Sequence, residues 1–392
     1  MKAEAWDVAV IGAGPAGSTA AAHLAGHGHC VLLVDRERFP RDKVCGDGLI
    51  ADAIGALRRL GLFERVASLG NRLSAATVYS PSRIHFDVPG EFVTLKRRLL
   101  DDLIVEEALR RGTVFRCGRV TRVETDAGTD VSLSLDAPDQ PIRARFALIA
   151  TGAGSDLPVQ MGLAARRSPS AVAMRCYVKS PADTDRLLVS YDRSITPGYA
   201  WIFPLGRGEF NIGCGVFYRS AAGALPNLRT LFRRFLLEFP PAAQVMENAA
   251  GMTPLRGAPL RCGLADAVQP GRGRILLAGE SLGTTFQFTG EGIGKAMESG
   301  EIAADLIHQA LSAKGFDLVG GYRERLEREF RPKYLGYRVA EDWLSRPWLN
   351  DLVARRIVRS CFLQEAVAGI LAETVDPRAV FSVRGMLRSL WH

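Results

Sequence analysis

The sequence predicts a mixed α/β protein in which one domain is interrupted by a second and followed by a helical region. Two strand–loop–helix units, at residues 6–35 and near 275–300, lie far apart in the chain but share one design. Between them, from about residue 168 to 217, aromatic and β-branched stretches separated by turn residues are typical of an antiparallel sheet. We therefore expect a discontinuous Rossmann-like domain (1–74, 96–165 and 255–315), an inserted antiparallel-sheet domain (75–95 and 166–254) and a helical region (316–392).

The first unit has glycines at G-x-G-x-x-G spacing. A short apolar strand, Val8–Ile11, runs directly into Gly12, Gly14 and Gly17. Gly12 can make the tight turn, Gly14 lets the main chain approach a pyrophosphate, and Gly17 lets the helix pack against the strand. The free N–H groups and the dipole of that helix favour a phosphate. The unit is therefore predicted to bind a nucleotide.

The next strand supplies the acid that such a unit needs. The apolar residues Val31–Val34 lead into Asp35, which is placed to accept ribose hydroxyls. Because NAD and FAD are both bound in this way, the unit alone leaves the choice between them open.

The other elements follow from apolar periodicity and turn residues. The predicted strands are 75–79, 84–88, 113–115, 119–124, 131–135, 143–150, 172–178, 187–191, 199–203, 210–217 and 274–278. The predicted helices are 50–60, 97–111, 225–239 and 291–309, followed by helices over 317–392 that break near Pro347 and Pro377.

Composition limits the class of protein. The 392 residues carry a net charge of +8, which suits an anionic cofactor, a membrane surface, an acidic substrate or simply a solvated surface. No nucleic-acid motif is present, so no nucleic-acid partner is expected. The seven cysteines are scattered, the six histidines lack metal-ligand spacing, and there is neither a signal peptide nor a bilayer-length apolar run. We expect a cytoplasmic protein without disulfides or a metal.

The C-terminal residues mix apolar and basic side chains. Trp343, Leu344 and Trp348 are followed by Leu352, and arginines such as Arg355 lie between the apolar positions. This pattern predicts either peripheral contact with a membrane or ordinary helix packing with a basic outer face.

Five segments in the chain, taken together and in order, resemble one family. They are GAGPAG (12–17), FPRDKVCGDGL (39–49), the helix that starts at Arg97, PGYAWIFPLGRGEFNIGCG (197–215) and LLAGESLGTTFQFTGEGIGKAMESG (276–300). The resemblance is to the geranylgeranyl reductase family of FAD-dependent oxidoreductases. That family shares its fold with p-hydroxybenzoate hydroxylase-type monooxygenases and flavin-dependent halogenases.

The resemblance implies that the discontinuous domain binds FAD and that the inserted domain binds substrate. The residues it assigns to the cofactor are Gly12, Ala13, Gly14, Pro15, Ala16, Gly17, Asp35, Arg36, Arg41, Cys45, Gly46, Arg97, Val120, Gly152, Gly279, Glu280, Gly290, Gly292 and Ile293. Two positions depart from the family pattern. Glu280 stands where the family has aspartate, and Gln287 stands where it often has proline.

Three aromatic side chains are predicted to line the substrate pocket. Tyr199, Trp201 and Phe203 alternate along a strand and therefore share one face, which forms either a pocket wall or part of the core. Gln287 is expected at the same pocket. Cys45, in a glycine-flanked loop, is either a proton donor or an inert packing residue. Cys45, Tyr199 and Trp201 are the candidate catalytic residues.

The resemblance implies reduction of carbon–carbon double bonds in an isoprenoid or other apolar small molecule. No second complete G-x-G-x-x-G unit is present, so an external reductant, either NAD(P)H or a redox protein, is expected. One alternative is an FAD-dependent monooxygenase, or less readily a halogenase, acting on a small aromatic or carrier-tethered substrate. Another is a non-catalytic flavin-binding redox accessory protein at a membrane surface.

Overall fold

The computed structural model describes residues 6–125, 130–136, 141–165, 169–196, 198–217, 227–264, 269–287 and 289–389. The strands in these residues are β1 (Trp6–Ile11), β2 (Val31–Asp35), β3 (Gly48–Leu49), β4 (Asn71–Tyr79), β5 (His85–Thr94), β6 (Val114–Cys117), β7 (Val120–Thr125), β8 (Val131–Leu135), β9 (Ile142–Ile149), β10 (Ala171–Lys179), β11 (Leu187–Ser190), β12 (Gly198–Gly206), β13 (Glu209–Phe217), β14 (Gly251–Met252), β15 (Arg256–Leu260), β16 (Gly271–Arg272) and β17 (Ile275–Leu277). The helices are α1 (Pro15–Gly26), α2 (Ala51–Leu60), α3 (Phe63–Leu69), α4 (Arg97–Arg110), α5 (Leu157–Gln160), α6 (Leu228–Glu238), α7 (Pro240–Glu247), α8 (Ile293–Ser312), α9 (Leu318–Glu329), α10 (Arg331–Leu344), α11 (Pro347–Ile357), α12 (Cys361–Leu371) and α13 (Val383–Arg388).

The first sheet has the strand order β16-β17-β9-β1-β2-β6. Its central pairings, β17 with β9, β9 with β1, β1 with β2 and β2 with β6, are all parallel. The central strands are buried along most of their length, which is why they read as continuous apolar runs. β7 and β8 extend from β9 as an antiparallel excursion. The predicted Rossmann-like sheet is confirmed.

The second sheet has the order β14-β10-β13-β12-β11-β4-β5-β3, with β15 also on β10. All its pairings are antiparallel except that of β11 with β4. The predicted antiparallel sheet is therefore confirmed. The domain boundaries remain a prediction, but if domains follow sheets, residues 256–260 belong here rather than with 255–315.

Small residues bring the two distant nucleotide units together. α1 packs against α8, and a Cβ on Gly300 of α8 would collide with the main-chain oxygen of Ala16. A Cβ on Gly279 would lie 2.9 Å from the Cβ of Ala16. The beginning of the chain and residues 275–312 consequently build one nucleotide-binding body.

Several boundaries differ from the sequence-based expectation; the strand predicted over 84–88, for example, is observed as β5 (His85–Thr94). The helix predicted over 225–239 is observed from Leu228 to Glu238, and residues 225 and 226 lie outside the described residues. The proline pair expected only to end that helix also begins α7 at Pro240, because the fixed φ of proline suits a first helical turn. The short helix α3 was not predicted.

The C-terminal helices complete the first core. Tyr322, Phe330 and Tyr334 are buried in the same apolar cluster as the first sheet. The Tyr322 hydroxyl donates to the main-chain oxygen of Leu277, at the end of β17. Within the described residues no helix combines the length and the apolar character needed to cross a membrane.

Candidate functional site

The G-x-G-x-x-G loop is fixed by its glycines and by Asp35. Gly12 has φ +100°, and a Cβ there would collide with the Ala150 main chain. A Cβ on Gly17 would collide with the oxygen of Gly12, so Gly17 is needed for the contact between helix and strand. The Asp35 carboxylate accepts from the N–H of Ala13 at 2.7 Å and from that of Glu37 at 3.0 Å. Asp35 thus holds the loop, and its ribose contact stays a prediction.

The start of α1 has the character of an anion site. Gly14 is the N-cap, no side chain caps the helix, and the first turn contains no acid. The space beside Gly14 is open, since the Arg41 guanidinium at 3.8 Å is the only neighbour that a Cβ there would meet. A helix N-terminus with a nearby arginine suits a pyrophosphate.

Arg97 is a buried charge at the start of α4. Its guanidinium donates two hydrogen bonds to the Asp101 carboxylate, at 2.6 and 2.8 Å, and Arg41 lies 3.2 Å from the same carboxylate. Burial alone would lower the pKa of Arg97, but the attraction of Asp101 outweighs burial and the pKa lies above its ordinary value. Asp101 therefore orients both arginines.

The Cys45 loop is joined to the second sheet through a buried asparagine. Asn211 accepts from the Trp201 indole at 2.9 Å and donates to the oxygen of Cys45 at 2.8 Å. It also donates to the carboxylate of Asp47, to which the Tyr177 hydroxyl donates as well. Sequence reasoning missed Asn211, Asp47 and Tyr177, although an asparagine between Phe210 and Ile212 in a buried strand was a usable signal.

The environment of Cys45 keeps its thiol protonated. Burial raises the pKa of Cys45, although the Arg97 guanidinium pulls it in the opposite direction. A thiol with a raised pKa is a poor nucleophile at neutral pH. A proton-donor role for Cys45 remains a prediction.

The three aromatic residues form one continuous wall. Ring centroids lie 5.7 Å apart for Tyr199 and Trp201, and 6.3 Å apart for Trp201 and Phe203. Trp201 is buried, and its indole packs against Gly213, where a Cβ would collide with it. Tyr199 and Phe203 retain accessible surface. A Cβ on Gly46 would lie 3.4 Å from the rings of both Trp201 and Phe203. The wall is therefore part core and part cavity lining, and the Cys45 loop meets it as expected.

Burial also fixes the protonation of Tyr199. It raises the pKa of Tyr199 well above the ordinary value, and Tyr191, Cys262 and Glu291 raise it further. The phenol is therefore neutral and can act as a hydrogen-bond donor but not as a base. A direct catalytic role for Tyr199 or Trp201 stays a prediction.

The segment 284–291 carries unsatisfied polar atoms, which tests the fit of a cofactor. Thr284 Oγ1, Gln287 Oε1 and Thr289 Oγ1 are buried and have no hydrogen-bond partner among the described residues. Buried polar groups normally have partners, so three orphans in one segment indicate a missing ligand. Gly290 has φ +71° and Gly292 caps α8 without a side-chain bond, so the helix end is also available. The residues present fit a bound dinucleotide whose polar ring lies here.

The two departures from the family pattern have distinct surroundings. The Glu280 carboxylate accepts from Thr285 at 3.1 Å, so its extra methylene is accommodated within its own turn. Gln287 packs against Gly263, where a Cβ would collide with its side-chain amide. Contacts of Glu280 with a ribityl chain, and of Gln287 with substrate, remain predictions.

We predict that the other cofactor residues line one path along the FAD. Arg36 is exposed beside Asp35 at the end of β2, and Val120 is buried at the start of β7. Gly152 has φ +76° with open space beside it. The hydroxyl of Ser281, two residues after Gly279, donates to the main-chain oxygen of Gly152. Pro15 and Ala16 begin α1, and Ile293 begins α8. Their roles remain predictions.

A carboxylate that the sequence-based site assignment omitted adjoins this path. Glu291 lies between Gly290 and the start of α8, and its Oε2 accepts from the Tyr337 hydroxyl at 3.3 Å. A Cβ on Gly290 would collide with the Tyr199 hydroxyl, so Glu291 follows directly on the aromatic wall. Burial raises the pKa of Glu291 to about 8, and the charges of Asp52 and Glu373 raise it as well.

Comparison with known proteins agrees with the fold and with FAD as the cofactor. Residues 5–187 match the family model described as an FAD binding domain. The chain is an FAD-dependent oxidoreductase.

It belongs, more narrowly, to the geranylgeranyl reductase family of these enzymes. A menaquinone reductase from Mycolicibacterium smegmatis is 33% identical over 316 residues, covering 77% of this chain and 76% of that protein. Digeranylgeranylglycerophospholipid reductase 1 from Methanopyrus kandleri is 29% identical over 360 residues, covering 89% and 93%.

Solved structures share the fold over nearly the whole chain. A geranylgeranyl bacteriochlorophyll reductase-like protein from Thermoplasma acidophilum gives a TM-score of 0.78 at 21% identity, covering 99% of this chain and 96% of that one. The flavin-dependent brominase Bmp2 gives a TM-score of 0.79 at 20% identity, covering 99% of both. Because reductase and brominase match equally well, these likenesses establish the fold and not the reaction.

Proposed function

We propose that the protein uses FAD to reduce carbon–carbon double bonds in an isoprenoid or similar apolar substrate. The observation that carries the proposal is the aromatic wall of Tyr199, Trp201 and Phe203, which runs from the Cys45 loop to the segment with orphaned polar atoms. Such a wall suits an extended apolar chain lying beside a flavin. The named activities of the two reductase relatives support the same reaction class.

Each part of the site has a proposed task in that reaction. Gly14, Arg41 and the start of α1 hold the pyrophosphate, and the segment 284–290 binds the polar edge of the flavin. When bound, FAD supplies two-electron transfer. The aromatic wall orients the apolar chain and excludes water. An isolated double bond is weakly polarised, so correct placement and a nearby acid must lower much of the barrier.

An external donor has to supply the electrons. The described residues contain one G-x-G-x-x-G unit, and its surroundings fit FAD. We propose that NAD(P)H docks transiently or that a redox protein delivers the electrons.

The reaction can be tested without oxygen. The purified holoprotein is reduced with dithionite, and a geranylgeranyl lipid, which has no quinone ring to accept the electrons, is then added anaerobically. We expect the flavin absorbance to return as the substrate gains two hydrogens, measured by absorbance and mass spectrometry. Flavin that stays reduced with every polyprenyl compound would contradict the proposal.

A second candidate is an FAD-dependent monooxygenase. It is favoured by Glu280 and Gln287, which depart from the reductase pattern beside the flavin segment. The same experiment separates the two reactions, because a monooxygenase would reoxidise only after oxygen enters and would release a hydroxylated product.

We also propose that α11 contacts an anionic membrane surface, from which an apolar substrate can enter. Trp348 is 66% exposed and Leu352 is 43% exposed, one turn apart, and the exposed Arg355 continues the same face. A small cavity lined by Tyr191, Leu344 and Pro347, among others, lies between this helix and Tyr199. Apolar and basic side chains on one exposed helix face are typical of interfacial binding.

Substitution of the exposed apolar pair tests this contact. W348E/L352E should lower binding to phosphatidylglycerol vesicles by at least about tenfold, because about 1.4 kcal/mol of apolar insertion is lost. Sedimentation with vesicles measures the binding. L237E is the matched control, since Leu237 is 80% exposed on α6. Equal losses in both variants, or equal binding to phosphatidylcholine, would count against the proposal.

A further inference from the structure

We propose that Glu291 donates the proton that completes reduction of the double bond, and that Tyr337 holds the resulting carboxylate. The inference rests on the proposed function, since a double bond that accepts hydride at one carbon needs a proton at the other. It concerns a side chain that neither the sequence motifs nor the comparisons assign to the reaction.

The position of Glu291 in the chain puts it beside the aromatic wall. Glu291 lies between Gly290, where a Cβ would collide with the Tyr199 hydroxyl, and the start of α8. The orphaned polar atoms of Thr284, Gln287 and Thr289 occur in the same short segment. Glu291 is therefore next to the space that the flavin and the apolar chain would share.

Several titratable groups surround the Glu291 carboxyl. The Tyr337 hydroxyl of α10 donates to it at 3.3 Å. The other titratable or charged groups that act on it are Asp52 of α2, Lys295 of α8, Glu373 after α12, and the phenols Tyr191 and Tyr199. Burial, Asp52 and Glu373 all raise the pKa of Glu291, and Tyr337 and Lys295 lower it, with a result of about 8. The carboxyl is thus protonated at neutral pH.

The other candidate proton donors are Cys45, Tyr199 and Asp52. A proton donor must be protonated at the working pH and yet as acidic as that condition allows. Burial raises the pKa of Cys45 above its ordinary value and that of Tyr199 well above its own, so both give up a proton less readily. Asp52, on α2, is more acidic, with a pKa of about 7. It is buried, however, beside Lys295 of α8. Glu291 is the one of these acids that meets both requirements.

The proposed reduction breaks one bond of the substrate and forms two. The π bond of the substrate breaks, one carbon receives hydride from the reduced flavin, and the other takes the proton of the Glu291 carboxyl. Two C–H bonds form, FAD is left oxidised, and Glu291 is left as a carboxylate to which Tyr337 donates. Water returns the proton, and the external two-electron donor reduces FAD again.

The variants E291Q and E291D test the inference with three readouts. The infrared difference between wild type and E291Q should show a carboxyl band that is lost with a midpoint near 8 as the pH rises from about 6 to about 9. FAD content and reduction by dithionite should be unchanged in E291Q. Anaerobic flavin reoxidation by a geranylgeranyl lipid should be at least about 100-fold slower in E291Q and partly restored in E291D.

The pH profile adds a signature that a structural role would not produce. The wild-type rate should be constant below about pH 7 and fall about tenfold per unit above about pH 8, whereas E291Q should lack this fall. E301Q is the matched control, because Glu301 is on α8, the helix that follows Glu291, but pairs with Arg59. A band showing an ionised Glu291 at neutral pH, or equal rates in E291Q and wild type, overturns the inference alone. A wild-type protein that reduces no polyprenyl compound overturns the proposed function, and the inference with it.

Discussion

Replacement of Gly14 by leucine should abolish FAD binding while the protein still folds. Gly14 has φ −75° and ψ −177°, which any residue adopts, and a Cβ there meets only the Arg41 guanidinium at 3.8 Å. The leucine side chain would instead occupy the open space beside the first turn of α1, where a phosphate has to approach. We expect affinity for FAD to fall at least roughly 100-fold, or about 2.7 kcal/mol.

The measurement is flavin absorbance per protein, together with thermal unfolding of the apoprotein. G26L is the matched control, because Gly26 is exposed at the other end of the same helix. G12A should behave differently from both, since φ +100° and a collision with Ala150 should prevent folding. A G14L protein that retains its full flavin content would refute the phosphate-site assignment.

Replacement of Lys295 by methionine should cause the largest loss of stability. The Lys295 ammonium is fully buried, and carboxylate oxygens of Glu298, Glu373 and Asp52 lie 2.5, 2.7 and 3.8 Å from it. Removing one partner of a buried ionic cluster leaves the others uncompensated. We expect the free energy of unfolding to fall by roughly 3–5 kcal/mol. Urea unfolding followed by circular dichroism measures this loss.

The loss of unfolding free energy in K295M should grow as the pH rises, because the carboxyl groups around Lys295 are then charged. Burial tends to raise the pKa of Glu373, but attraction to Lys295 and Lys333 outweighs it and leaves the pKa lowered. Wild-type Glu373 therefore contributes stability above its unfolded pKa, and this contribution disappears as the pH falls. Without Lys295 the buried acids favour protonation, so the variant is most disadvantaged at high pH. A uniform loss at all pH values would contradict this account.

K333M is the control for that experiment. Lys333 also pairs with Glu373, but its side chain is 36% exposed, so solvent screens the pair. We expect a loss of less than about 1 kcal/mol. A K333M loss as large as that of K295M would mean that burial of the ammonium is not the cause.

Local patterns predicted the parts of the fold that depend on local chemistry. The glycines of the first unit and the alternation of Tyr199, Trp201 and Phe203 each act over a few residues, and both predictions of geometry are confirmed. The parallel sheet could be predicted because its buried strands are continuous apolar runs. The start of α7 at Pro240 could not, because proline both ends a helix and suits the start of one.

The polar connections of the site depend on pairings between distant residues. Asn211 meets Cys45, and Lys295 meets Glu373, only after both sheets and the C-terminal helices have assembled. No periodicity records such contacts. Glu291 was overlooked for a related reason, since its environment is created by α2, α10 and the turn after α12.

The late position of β17 and α8 in the chain has a consequence for biosynthesis. β17 completes one flank of β9, and α8 covers the small-residue face of α1, but both follow the whole second sheet in sequence. While the ribosome is still making that sheet, the nascent chain displays an unpaired strand edge and a bare apolar helix. Such surfaces attract chaperones and favour aggregation. FAD can therefore be acquired only after α8 has been made, and chains that stop before α8 should be degraded rather than accumulate as a flavin-binding fragment.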